Sequence, residues 1–194
     1  MDVKTAILQR RSIRRFSPKP IEGAVLFALV ELACFYASGG NMQPVRFSIL
    51  SATPYKDQLF HLLHWAAYLP GFSIPSGERP PAYVILLRDT KISNCCSFEL
   101  GAAATTLMLA AQEYGLATCC VGNFSAKNVS ELLSIPAEYV PELVIAIGYP
   151  TQKSAVVDLI DSVRYTEDDQ GNMLVPKYRL KDVLINLPPI SHSL

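Results

Sequence analysis

From Glu22 to Ala37 the chain is apolar on nearly every helical face, with Glu31 its only charge past the start. A helix there cannot be a surface helix with one wet side; its own core or a partner has to cover it. Half of the 194 residues are hydrophobic and 18% are charged, with a mean hydropathy of +0.23. That is more apolar surface than one small domain hides, so a stable oligomer is expected. The length leaves room for one domain and an arm, at about 150 residues per domain. With 17 basic against 17 acidic side chains, the chain lacks the positive field that nucleic acid or an anionic membrane would need. The longest apolar run, Gly101 to Ala111, falls short of the ~20 residues that span a bilayer. The opening MDVKTAILQRRSIRRF has no apolar stretch with a small-residue cleavage site, so a cytoplasmic location is expected.

Short apolar runs at Val45–Leu50, Tyr83–Leu87 and Leu143–Ile147 predict strands, and Thr118–Val121 a fourth. Helices are predicted at Val3–Arg10, Glu22–Ala37, Tyr55–Ala67 and Glu99–Tyr114, the last stopped by Gly115, and from a Ser125 cap through Leu133. Prolines 18 and 20 close the first segment, which puts the basic cluster Arg10–Arg15 at a helix-to-loop junction. On spacing alone that cluster reads as a solvated helix end, and Ser38–Gln43 as a helix C-cap and turn or a ligand turn at even odds. The domain reading is a core over 1–150 and a polar arm over 151–194 with a turn at Asp169–Asn172. Such an arm has no core of its own and has to lie along something folded.

The chemistry is narrowed first by absences. There is no GxGxxG after a strand, no GxxxxGK[ST] and no GxSxG, and the five cysteines and three histidines show no metal-ligand spacing. The cysteines read as buried free thiols. What remains is a separated set: Arg10, Arg11, Ser12 and Arg14, the turn Ser38–Gln43, Gly122 with Asn123, and Lys177 with Arg179. Guanidinium forks, a hydroxyl and a lysine can surround a phosphate, while glycines and amides let a flat heterocycle approach; together they suit one anionic planar ligand. Trp65, Tyr68 and Phe72 could wall a pocket or simply be core.

The segment RRSIRRF, the buried helix after it, SGGNMQP leading into a strand, ELGAAATTLMLAAQEYGLATCCVGNF, the strand ending Gly148-Tyr149-Pro150 and the late Lys177-x-Arg179 together resemble the nitroreductase family. The resemblance implies an α+β fold, a three-layer sandwich with a central, mainly antiparallel sheet flanked by helices. It also implies an intertwined homodimer whose C-terminal arm crosses the partner. It implies FMN at the subunit interface. Arg10, Arg11, Ser12 and Arg14 of one chain, with Lys177 and Arg179, would hold its polar end; Ser38, Gly39, Asn41 and Gln43 would come from the other chain, and Gly122 and Asn123 would meet the flavin edge. The implied activity is two-step hydride transfer from NADH or NADPH to a nitroaromatic, quinone or related acceptor, with no catalytic side chain and no metal. The alternative reading is a carrier or sensor that binds FMN without turnover. Two departures from the family stand out: Val45 where a Trp commonly follows Gln-Pro, and Val121-Gly122-Asn123 where bacterial members carry a Glu.

Overall fold

The computed structural model describes residues 1–185, in two compact units, Met1–Gln152 and the segment from Lys153 onward. In the first unit β1 (Val45–Leu50), β2 (Ala82–Asp89), β3 (Ala117–Val121) and β4 (Tyr139–Gly148) form an antiparallel sheet in the order β1-β2-β4-β3. Val84 and Leu86 of β2 face one core with Ile145 and Ile147 of β4, whereas Tyr83, Ile85 and Leu87 face a second core with Val144 and Ala146. Both faces of the central strands are therefore buried, which is why these strands read as continuous apolar runs. The helices α2 (Gly23–Ala33) and α4 (Ser97–Glu113) cover the first face; α3 (Tyr55–Leu62) and α5 (Ala126–Leu133) cover the second. This is the expected three-layer α+β arrangement.

Local signals set several boundaries. Asp2 caps α1 (Val3–Gln9) by accepting from the Thr5 amide at 2.9 Å, and Ser125 caps α5 by accepting from the Asn128 amide. Gly115 ends the turn after α4 at φ +65°. Two helices stop earlier than their apolar patterns predict. The expected helix Glu22–Ala37 ends at Ala33, because Tyr36 is buried and its hydroxyl accepts from the Val45 amide at 3.1 Å, drawing the chain toward the start of β1. The expected helix Tyr55–Ala67 ends at Leu62, where Leu63 turns extended and the His64 amide donates to the Asn123 carbonyl at 3.0 Å.

The reading of the basic cluster as a solvated helix end is overturned. After α1 the chain runs beside the sheet, Ser12 bridging Thr118 and Phe16 bridging Pro150, with Ile13, Arg14 and Phe16 buried. Gln152 belongs to this unit, buried, with its Oε1 accepting from the Arg14 amide at 3.1 Å.

The second unit has its own sheet, which a polar arm without a core did not foreshadow. In it β5 (Ser154–Asp158) pairs parallel with β7 (Met173–Lys177), and β6 (Thr166–Glu167) pairs antiparallel on the other side of β7. The turn between β6 and β7 is built on Asp168, which accepts from the Gln170 and Asn172 amides, with Gly171 at φ +78°. A short helix α6 (Leu180–Val183) follows. No helix among the described residues is long and apolar enough to cross a membrane.

Candidate functional site

The structure places Arg10, Arg11, Ser12 and Arg14 on the outer side of β3, at one edge of the sheet. Among the described residues neither the Arg10 guanidinium nor the Ser12 hydroxyl has a hydrogen-bond or ion-pair partner. Arg11 turns its Nη1 onto the Arg10 carbonyl at 2.6 Å, and burial together with the adjacent Arg10 charge lowers its pKa. Two cations side by side, one partly desolvated, are a place where an anion relieves repulsion. Arg14 is 9% exposed, so its position is built into the core of the unit.

The ladder of β3 ends at Val121, and Gly122 and Asn123 leave it exposed, with the Asn123 carbonyl held by the His64 amide. Both lie on the same sheet edge as Arg10 and Ser12.

The turn Ser38–Gln43 is strained and internally bonded. Gly40, Asn41 and Gln43 all have positive φ, +56°, +56° and +50°. Two of these are non-glycine residues, a conformation that costs about 1–3 kcal/mol each and persists only where surroundings impose it. The imposing contacts are the Gln43 amide on Ser38 Oγ at 2.9 Å, Gln43 Nε2 on Asn41 Oδ1 at 3.0 Å, Arg46 Nη1 on the Gln43 carbonyl at 2.8 Å and the Gly39 amide on Glu99 Oε1 at 3.3 Å. Glu99, in the first turn of α4, is a support for this turn that spacing along the sequence did not reveal. The turn leads into β1, at the opposite edge of the sheet from β3, about 14 Å away by three strand spacings. The registers Val45↔Arg88, Arg88↔Val140 and Val121↔Val144 put this turn and Gly122 toward the same end of the sheet, whereas Ser12 bridges Thr118, which pairs with Ile147 toward the other end. Within one chain, then, Ser12 bridges β3 at Thr118 and Gly122–Asn123 follow the end of the same strand, whereas Ser38–Gln43 lies beside the opposite edge.

Lys177 and Arg179 are exposed in the second unit. Arg179 holds Asp158 at 2.5 Å, which raises the guanidinium pKa and lowers that of the carboxyl.

All five cysteines are free, but only Cys96 and Cys119 are buried; Cys34 and Cys95 are exposed, which corrects the expectation of uniformly buried thiols. Burial pushes the Cys96 thiol up to about 11 and Cys120 to about 12, whereas the Ser97 amide and hydroxyl lower Cys95. No cluster of His, Cys, Asp or Glu that could hold a metal occurs among the described residues.

The sequence profile described as the Nitroreductase family matches residues 7–69 and 75–149. A provisionally named NADH dehydrogenase/NAD(P)H nitroreductase of Methanothermobacter thermautotrophicus is 23% identical over 171 residues, spanning 84% of this chain and 85% of its own. The crystal structure of a protein with the same provisional name from Parabacteroides distasonis superposes with a TM-score of 0.71 at 22% identity, covering 95% of this chain and 97% of the other. An FMN-dependent nitroreductase of Clostridium difficile R20291 gives a TM-score of 0.61 at 22% identity, over 75% of this chain and 86% of that one. The likeness to the two solved structures is one of fold.

Proposed function

This chain belongs to the nitroreductase family, and on that premise we propose that it is an FMN-dependent oxidoreductase drawing on NADH or NADPH. The observation that carries the reading is the run of Arg10–Arg14 along β3, which sets the unpartnered Arg10 and Ser12 beside the strand that ends in Gly122 and Asn123. The donor set fits FMN: guanidinium and hydroxyl for a phosphate, exposed backbone beyond a strand end for the ring edge. Lys177 and Arg179 are proposed as further phosphate ligands on the resemblance alone. FMN, when bound, supplies the chemistry, taking hydride from the nicotinamide and passing it to an acceptor such as a nitroaromatic or quinone.

The protein's own part is placement and charge. Arg10, Arg11 and Ser12 offer cations and a hydroxyl donor to a phosphate. Asn41 and Gln43, locked by their mutual hydrogen bond, present amides from a turn whose strain is already met in the folded chain. No side chain needs to act as nucleophile or base.

A homodimer is part of the proposal. The separation of Ser38–Gln43 from Arg10 by the width of the sheet is resolved if the turn serves the partner's flavin. The apolar side chains Phe27 and Phe35, 70% and 83% exposed in the single chain, supply surface for such an interface. We further propose that the segment from residue 151 onward is an arm serving that dimer, and that the protein acts in the cytoplasm.

The test is an anaerobic visible spectrum of the purified protein before and after NADH, then NADPH. An oxidised-flavin spectrum that bleaches is the expected result and names the donor. Bound flavin that never bleaches leaves a flavin-binding protein without turnover, and no binding of added FMN rejects the site.

The turn is tested separately. Glycine tolerates the φ of Asn41, so Asn41→Gly should leave the thermal midpoint within about 2 °C while raising the FMN dissociation constant about tenfold, the effect of one lost polar contact. Loss of the dimer instead would make the turn purely structural.

A further inference from the structure

The half-buried Arg79 carries a charge that no carboxylate among the described residues meets within ion-pair distance. Its guanidinium lies 4.3 Å from the centroid of the Phe60 ring, and its Nη1 is 3.4 Å from His61 Nε2. A ring face and an imidazole hold the cation in place without neutralising it. Its Nε is buried and has no hydrogen-bond partner. Two neighbouring donors are in the same state. Trp65 Nε1 is buried and unbonded, on a ring 5.6 Å from that of Phe60. The Tyr83 hydroxyl is likewise unbonded on a fully buried side chain, within electrostatic reach of both Arg79 and Asp57. Native proteins rarely leave buried donors unmet, so two beside the Phe60 ring, with a third on Tyr83 in electrostatic reach of Arg79, mark a place that lacks an acceptor.

The segment from Phe60 to Arg79 is fastened near one end to Asn123, a residue assigned to the flavin, and at the other to the chain just past Arg14. Its His64 amide donates to the Asn123 carbonyl at 3.0 Å. At the other end the Phe16 amide donates to the Glu78 carbonyl at 2.8 Å, and Arg15 lies 5.5 Å from the Phe72 ring centroid.

We infer that Arg79, over the Phe60 ring that neighbours Trp65, is the subsite for the carboxylate of an aromatic electron acceptor, so that the protein takes anionic aromatic acceptors in preference to neutral ones of the same ring. A guanidinium edge binds a carboxylate through two parallel N–H donors, and the two aromatic rings supply the apolar wall for the acceptor's ring. The inference rests on the oxidoreductase reading above. In the reaction implied for a nitroaromatic acid, one nicotinamide supplies two electrons and a proton and solvent supplies the second proton. The nitro group becomes a nitroso group and releases one water; the carboxylate is unchanged and serves only to hold the ring.

Trp65 is the chain's single tryptophan, so its fluorescence reports directly on this subsite. The purified protein, with flavin as isolated, is titrated with para-nitrobenzoate and with nitrobenzene. The expected result is quenching by para-nitrobenzoate at a dissociation constant tenfold or more below that of nitrobenzene, about the worth of one charged hydrogen-bonded pair. Arg79→Gln should abolish this preference and leave nitrobenzene unaffected, while Arg79→Lys, with a point charge and no fork, should keep part of it. Equal affinity for the two compounds in the unaltered protein, or a preference that survives Arg79→Gln, overturns the subsite. Flavin turnover with equal affinities would keep the oxidoreductase reading and reject the subsite. Preference for para-nitrobenzoate without any reduction by nicotinamide would do the reverse.

Discussion

Replacing Arg10 and Ser12 together by alanine should strip FMN from the protein and leave the fold standing. Neither side chain hydrogen-bonds or ion-pairs with another described residue, so their removal breaks no such internal bond. The backbone that docks this segment survives, because the bond from the Ile13 amide to the Thr118 carbonyl at 3.0 Å needs no side chain. A charge-assisted hydrogen bond contributes about 1.5–3 kcal/mol and a neutral one about 0.5–1.5 kcal/mol, so the FMN dissociation constant should rise roughly 30- to 2,000-fold. Flavin retained on gel filtration, followed by fluorescence titration of the stripped protein with FMN, measures this directly. An unchanged constant would remove the phosphate from this segment. Arg14→Ala is a poorer probe: Arg14 is buried and its amide is bound by Gln152, so the substitution mixes affinity with stability.

Gly148→Ala should destabilise the protein by about 1–3 kcal/mol, lowering the thermal midpoint roughly 2–12 °C. A Cβ at this position would stand 2.7 Å from Pro81 Cδ and 2.8 and 2.9 Å from Phe16 Cδ1 and Cβ. Neither neighbour can yield easily. Pro81 is a rigid ring entering β2, and Phe16 is fully buried and pinned by its amide on Glu78. Because Phe16 lies two residues past Arg14, strain relieved by moving it should also loosen FMN. Phe16→Leu in the Gly148→Ala background should recover part of the loss, a coupling that independent sites would not show. A midpoint shift below 1 °C for Gly148→Ala would mean that the packing around this glycine is looser than the distances indicate.

Much of the fold was legible because its determinants are local. The four strands of the first sheet follow from short apolar runs, α5 from the Ser125 cap, and the end of α4 from Gly115. The ends of α2 and α3 were not legible. Tyr36 and His64 leave their helices to bond Val45 and Asn123, and nothing in a window around either residue encodes a partner on another strand. The candidate site divides in the same way. Arg10, Ser12, Asn41, Gln43, Gly122 and Asn123 stood out by residue type and, as a set, by their resemblance to one family. Glu99, Phe60 and Tyr83 were silent, each an ordinary residue whose interest comes from what surrounds it.

The sequence by itself determined four strands from short apolar runs, a helix needing cover from its own core or a partner, and a family resemblance that implies an α+β fold and whose profile spans most of the first unit. Only the tertiary structure decided that the basic segment is a half-buried neighbour of β3, with Arg14 buried, instead of a wet helix end. It alone put Ser38–Gln43 and Arg10 on opposite sheet edges, paired β5 with β7 in parallel, and left the Arg79 charge without a carboxylate partner among the described residues. The physical reason is range. Periodicity, capping and turn chemistry act over a few residues and are written into the order of side chains. Strand order, burial of a charge and the absence of a counter-charge depend on segments far apart in the chain, and they take definite values only when the sheet has closed.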